Sequence, residues 1–417
     1  MKNLIIKNAN ELLTCKGEAP KTGSEMNELG IINDGAVVIE DGVITKVGKT
    51  AELLQDVNEE EFVVIDADNK AVLPGFIDGH THFVFGGYRA EEFSWRLKGV
   101  PYTEIMERGG GIISSVESTR EASFEELKES ASKRLDSIIS FGVTTVEGKS
   151  GYGLDLETEL KQLRVMNKLQ EEHDIDISTT FLGAHDIPPE YKDDREAFVD
   201  YLIDEVMPQI AQEGSVDFCD VFCDQGVFSI DEARKILLTG QKLGLKSKLH
   251  ADEIAQVGAA ELAAEIEAIS ADHLLKASDE GIEMMAEKGV IGVLLPITAF
   301  SLKEKYAPGR KMIDKGLPVA LATDLNPGSC HSESIPLLVA LATLYMGLTP
   351  EEAVTALTIN GAAAIDRADE IGSIEKGKKG DIVILDAPSY DHLSYHIGVN
   401  VVDKVIKAGE LVVDHSK

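Results

Sequence analysis

The stretch PGFIDGHTHFVF places His80 and His82 one residue apart at the end of an apolar run. A second apolar run ends in HADE, with His250 and Glu253; a third, AISADH, ends in His273; and a fourth, PVALATD, ends in Asp324. Alternate residues of a strand share a face, so both imidazoles of an HxH pair can reach one ion from a rigid backbone. The pair alone is weak evidence, because polar residues often close a strand. Joined by a histidine and an aspartate from remote strands, it becomes a set of three neutral imidazoles and a carboxylate. That set suits one divalent or trivalent metal ion, Zn2+ or iron (Fe2+ or Fe3+), with room for a water. The chemistry it supports is hydrolysis, because a metal lowers the pKa of a water towards ~7 and polarises a carbonyl.

For these side chains to meet, the runs that carry them must be neighbouring strands with their ends on one side. Apolar, β-branched runs recur at 73–82, 142–148, 177–185, 216–224, 247–253, 268–273, 289–296 and 318–324. Between them lie amphipathic segments of helical period, such as SFEELKESASKRLDSIIS and LETELKQLRVMNKLQEEH. Eight strand–helix units imply an α/β fold of the TIM type, a (β/α)8 barrel, whose active sites form at the C-terminal ends of the strands. His80, His82, His185, His250, Glu253, His273 and Asp324 all close such runs. Roughly 65 residues separate the first two strand ends, far more than a typical connection, so this first loop is expected to cover the catalytic face. It carries Arg89, Trp95, Tyr102 and a glycine run at 109–111.

Both ends of the chain have a different texture. NLIIKNA, GAVVIEDGVITKVG and EFVVIDAD near the start, and GDIVILDAP and VDKVIKAGELVV near the finish, read as short strands, with Asp41-Gly42 as a two-residue hairpin turn. The expected organisation is a composite β-sandwich from 1–70 plus 376–417 around a barrel spanning 71–375.

Hydrophobic residues at 43% and charged residues at 27% describe an ordinary globular chain. A formal net charge of -33 argues against nucleic acid or an anionic membrane surface as partner, since both need clustered Lys and Arg. No run approaches the ~20 apolar residues that cross a bilayer, and the start does not read as a secretory signal, so the expected location is cytoplasmic. Four cysteines do not make a disulfide framework, and Cys219 and Cys223 read as buried strand residues.

PGFIDGHTH, HADE, the lone histidine on the next strand and TDLNPGS together resemble the amidohydrolase superfamily across essentially the whole chain. GGYRAEEF, GKSGYGL, FLGAHDIPPEY and ATDLNPGSC are similar, more narrowly, to the imidazolonepropionase family of ring-opening hydrolases. That resemblance implies hydrolysis of the cyclic amide of 4-imidazolone-5-propanoate to N-formimidoyl-L-glutamate, with His80, His82, His250 and Asp324 as metal ligands. Asp324 and His273 would share removal of the water's proton, and Glu253 would deliver one to the departing ring nitrogen. A small anionic substrate needs a local cation in so acidic a protein, and Arg89 can bind a carboxylate through two parallel bonds. Tyr152, His185, Asn326, Gly328 and Ser329 would add polar contacts, and a homodimer is expected. Cytosine, guanine and adenosine-type deaminases share the HxH, HxxE, His and Asp pattern, so those residues alone leave them open. Arg89 and the NPGS loop favour an acidic substrate. The fourth strand run, VDFCDVFCDQG, lacks the lysine that bridges two metals in dihydroorotase-like relatives, which favours a single ion.

Overall fold

Strand-forming residues at the two ends of the chain build one mixed sheet. It contains β1 (Leu4–Leu13), β2 (Ile31–Glu40), β3 (Val43–Lys49), β4 (Val63–Asp66) and β5 (Ala71–Pro74), all from the N-terminal segment. The structure, a computed structural model, describes residues 3–100, 104–105 and 108–416, so Tyr102 lies outside the described residues. Asp41 and Gly42 join β2 to β3 with φ of 50° and 81°; two positive values in succession are what a type I′ hairpin requires.

The run 73–82, expected as one strand, divides at Gly75. The Gly75 N–H donates to the Asp381 carbonyl at 2.9 Å and the next N–H, of Phe76, to Gly142 at 2.9 Å, so the chain changes sheets there. Eight parallel strands then follow in order around the second sheet: β6 (Phe76–Thr81), β7 (Val143–Lys149), β8 (Asp176–Ala184), β9 (Phe218–Cys223), β10 (Lys246–Ala251), β11 (Ser270–His273), β12 (Ile291–Leu294) and β13 (Val319–Leu321). Each matches one of the eight expected runs. The ring closes between its first and last members: the Asp324 N–H donates to the His80 carbonyl at 3.0 Å and the His82 N–H to the Leu325 carbonyl at 2.8 Å. The last strands, β14 (Ile382–Leu385), β15 (Val402–Lys407) and β16 (Glu410–Asp414), return to the terminal sheet, where β14 pairs antiparallel with β5.

The helices between barrel strands form where the sequence gives a start signal and an apolar stripe. In Phe124–Ser140, Ser123 caps the first turn in a reciprocal pair with Glu126, and Leu127, Ala131, Leu135 and Ile138 are buried at three- and four-residue spacing. At β14 the terminal sheet buries both faces. Ile382 and Ile384 join the sheet's own core with Leu4, Ile6, Val37 and Ile39, while the alternate residues Val383 and Leu385 pack into the large barrel core. A charged junction adds to this: Asp176, at the start of β8, pairs with Lys407 at 3.1 Å, Lys379 at 3.0 Å and Arg367 at 2.9 Å.

Candidate active site

The C-terminal ends of the barrel strands bring the expected chemistry together. Ring centroids of His80 and His250 lie 4.6 Å apart, His80 and His82 5.4 Å, and His250 and His273 5.2 Å. Asp324 Oδ1 stands 3.6 Å from His80 Nε2 and 3.7 Å from His82 Nε2. Ligating atoms of His80, His82 and Asp324 all lie within 4.8 Å of one another, as do those of His80, His250 and His273 and those of His82, His185 and His250. Among the described residues, none of His173, His331, His392, His396 and His415 belongs to such a group.

The backbone reaches these positions at a cost. His273 and Asp324 adopt φ of 72° and 56°, the left-handed region that non-glycine residues seldom occupy, and such strain gathers at functional sites. On the Asp324 side it is held by a ring of hydrogen bonds. The Thr298 hydroxyl donates to Asp324 Oδ2 at 2.6 Å and Asn326 Nδ2 to Oδ1 at 3.1 Å. Asn326 Oδ1 in turn accepts from the N–H groups of Gly328 at 2.9 Å and Ser329 at 2.8 Å. Asn326, Gly328 and Ser329 line the cavity, but these polar groups are engaged with one another and organise the loop that carries Asp324.

Burial controls the protonation of the imidazoles. His80, His82 and His273 are all held well below their ordinary pKa, by burial first and then by Lys149, His185 and His250 respectively. His185 falls to about 3 for the same first reason, followed by the nearby His250. His250 is the exception: burial lowers it, but the Asp220 carboxylate beside it outweighs that and raises it. His80 Nδ1 lies 2.6 Å from Asp272 Oδ2, a bond that places its N–H on Nδ1 and its lone pair on Nε2, and His250 Nδ1 stands 3.0 Å from the Asp220 Oδ2 carboxylate oxygen.

The buried nitrogens His80 Nε2, His82 Nδ1 and both of His250 and of His273 have no hydrogen-bond partner among the described residues, although His250 Nδ1 stands within ion-pair range of Asp220. An unpaired buried polar atom costs ~1–3 kcal/mol, and nitrogen donors clustered around a carboxylate are the environment that a cation relieves. The residues present therefore fit a metal ion.

A cavity of about 410 Å3 opens above this cluster, lined among others by His82, Arg89, Arg96, Tyr152, His185, Glu253, His273 and Asp324. Every candidate named from the sequence lies on its wall or directly beneath it, and the first long loop supplies part of that wall through Arg89, Glu92, Arg96 and Ile112. Glu253 Oε1 is 3.6 Å from His273 Nδ1; its carboxyl is pushed up to about 8 by burial and then by the charge of Asp324. Asp324 rises to about 6, again through burial, which its bond from Thr298 opposes. Tyr152 is raised by burial and keeps its proton. His185 Nδ1 donates to the Gly151 carbonyl at 3.0 Å and its ring stacks on His82 at 5.1 Å.

Arg89 is held in a largely buried ion pair with Glu92. Its Nε and one terminal nitrogen donate to the buried Glu92 at 2.9 and 2.5 Å, and Glu92 also accepts from the Gly111 N–H at 2.8 Å. The guanidinium packs so closely on Gly328 that a Cβ there would stand 2.0 Å from its other terminal nitrogen. Thr298, Asp220 and Asp272 escaped the sequence reading. The last two carried a faint signal: each is a carboxylate set among apolar strand residues, and a residue type that rarely buries without a partner asks for one.

Residues 71–412 match the Amidohydrolase family model. The chain is 61% identical over 410 residues to the imidazolonepropionase of Clostridium tetani, covering 98% of each, and 58% identical over 408 residues to that of Parabacteroides distasonis, again 98% of each. Among solved structures it resembles an adenosine deaminase from Xanthomonas campestris with bound zinc, at TM-score 0.74 and 19% identity over 99% of this chain and 93% of that one. A triazine hydrolase variant gives TM-score 0.74 at 16% identity over 100% and 96%. These two likenesses concern the fold.

Proposed function

The chain belongs to the amidohydrolase family and, within it, to the imidazolonepropionases, and from that premise we propose that it opens the ring of 4-imidazolone-5-propanoate by hydrolysis, yielding N-formimidoyl-L-glutamate in histidine degradation. The observation that carries this reading is one cavity in which Arg89, a cation suited to a carboxylate, faces a hydrolytic cluster of imidazoles, Asp324 and Glu253.

His80, His82, His250 and Asp324 are the residues that would hold a metal, Zn2+ or iron. When bound, such an ion supplies a nucleophilic water at neutral pH and polarises the ring carbonyl. The remaining work falls to the chain. Arg89, kept in place by Glu92 and Gly328, anchors the propanoate, and the protonated Tyr152 hydroxyl donates to it. The His185 ring, fixed by its bond to Gly151, presents Nε2 to the imidazolone. Asp324, ionised at neutral pH, and the neutral His273 take the proton released by the attacking water. Glu253, still protonated at neutral pH, gives one to the ring nitrogen as the C–N bond breaks. The burial that raises Glu253 is what makes a carboxyl an acid here.

The same reading includes a homodimer, supported by the exposed Tyr88, Phe93, Leu97 and Phe300 near the first loop, and a reducing cytoplasm, supported by four buried free cysteines. The decisive test is ultraviolet absorbance of imidazolonepropanoate incubated with the protein, with and without a chelator, beside cytosine and guanine controls. Loss of the imidazolone absorbance alone, abolished by the chelator, is expected; deamination of a base instead would refute the substrate.

A further inference from the structure

Beneath the imidazoles the barrel interior holds a layer of charge that the proposed mechanism does not use. Glu147, Lys149, Asp220, Lys248 and Asp272 are all fully buried and meet one another in a network of ion pairs. Three carboxylates against two ammoniums leave one net negative charge below the site. The contacts are not evenly shared. Lys149 Nζ lies 2.8 Å from Asp220 Oδ2, 3.5 Å from Asp272 Oδ2 and 2.7 Å from Glu147 Oε1. Lys248 Nζ meets Glu147 Oε2 at 2.5 Å and the carbonyls of Ala364 and Gly79 at 3.2 and 3.4 Å, and lies 5.1 Å from the centre of the Phe218 ring.

The two oxygens that Lys149 touches on Asp220 and Asp272 are the same two that face the imidazoles. Asp220 Oδ2 stands 3.0 Å from His250 Nδ1, and Asp272 Oδ2 stands 2.6 Å from His80 Nδ1. Lys149, Asp220 and Asp272 come from β7, β9 and β11, alternate strands that contribute one interior layer in a barrel of this kind. We infer that Lys149 is a positioning residue for the metal site: its ammonium bridges Asp220 and Asp272 and thereby aims Nε2 of His250 and of His80 at a common point. This rests on the ligand assignment proposed above. Without the bridge, two like charges inside a low-dielectric core repel, and the imidazoles that they face turn away from each other.

A purely structural role, in which Lys149 only neutralises buried acids, predicts the opposite sign at the metal. Deleting a positive charge from below a cation site makes the site more negative, so charge alone would tighten metal binding. Loss of aim loosens it. The experiment measures the Zn2+ dissociation constant of the metal-stripped full-length protein by competition with a chromophoric chelator, and separately the thermal midpoint with and without Zn2+. Lys149→Met is expected to weaken Zn2+ about 10- to 100-fold, the range typical of groups that orient metal ligands, and to shrink the midpoint gain on adding Zn2+. Lys248→Met removes the same charge from the same layer and is expected to bind Zn2+ at least as tightly as the parent. Should Lys149→Met not fold, the charge-conserving pair Glu147→Gln with Lys149→Met gives the same reading. Unweakened Zn2+ binding in the Lys149 variant, or equal weakening in both lysine variants, overturns the inference. A parent protein that holds Zn2+ no better than its His80→Ala/His82→Ala variant overturns the ligand assignment itself, and the inference with it.

Discussion

At the scale of single residues, Glu253 carries the clearest signature. Its carboxyl, pushed up to about 8 by burial and then by Asp324, can donate only below that value, so turnover should fall as pH rises through ~8. In Glu253→Gln that alkaline limb should vanish and kcat drop ~10²-fold or more; a pH–rate profile of both proteins checks it, and a retained limb would assign the titration elsewhere. Arg89 offers a second test through a residue with no side chain. A Cβ on Gly328 would occupy the guanidinium's place, so Gly328→Ala should imitate Arg89→Ala. Both should raise KM for the acid about 10- to 100-fold, the worth of a lost charge-assisted bond, while sparing an analogue without the carboxylate. Residues of this kind differ in how far the sequence betrays them. His80, His82, His250 and Asp324 were legible because each closes an apolar run and chelation needs that spacing. Thr298 was not, because a threonine in an apolar helix looks like an ordinary position until the fold sets it against Asp324.

Among the elements, the eight barrel strands could be read from their apolar runs, whereas the break at Gly75 could not. Ala71–Pro74 and Phe76–Thr81 have the same apolar texture, and only the competing partners, β14 on one side and β7 on the other, assign them to different sheets. How the two sheets meet was equally invisible, since it depends on Asp176 finding cations more than 190 residues further along the chain. Burial alone would raise the Asp176 carboxyl, but Lys407, Lys379 and Arg367 outweigh it and hold it well below the usual carboxylate range. A depressed folded pKa stabilises above the ordinary value near ~3.9, and that stability is lost as pH falls below it towards the depressed value. Asp176→Asn should therefore cost ~2–3 kcal/mol near neutral pH, measured by denaturant unfolding, and lessen the further loss of stability on acidification. Equal acid sensitivity in both proteins would show that this junction does not govern the transition.

For the whole molecule, removal of the metal is the informative perturbation. A ligand that binds only the folded chain stabilises it by about 2.7 kcal/mol at a concentration 100 times its dissociation constant. Calorimetry in chelator should show the thermal midpoint lowered by a few degrees, restored by Zn2+ or iron; an unmoved midpoint would mean that no ion is held. The two hydrogen bonds between the ends of β6 and β13 give this linkage a particular route. They are made by the main chain of His80, His82 and Asp324 together with Leu325, so three of the four proposed donors also clasp the cylinder shut. The ring cannot unzip at that joint without parting the donors, and a bound cation acts as a rivet through it. Amide protons of His82 and Asp324 should then exchange with solvent far more slowly in the loaded protein than in the stripped one, reporting occupancy from the backbone itself.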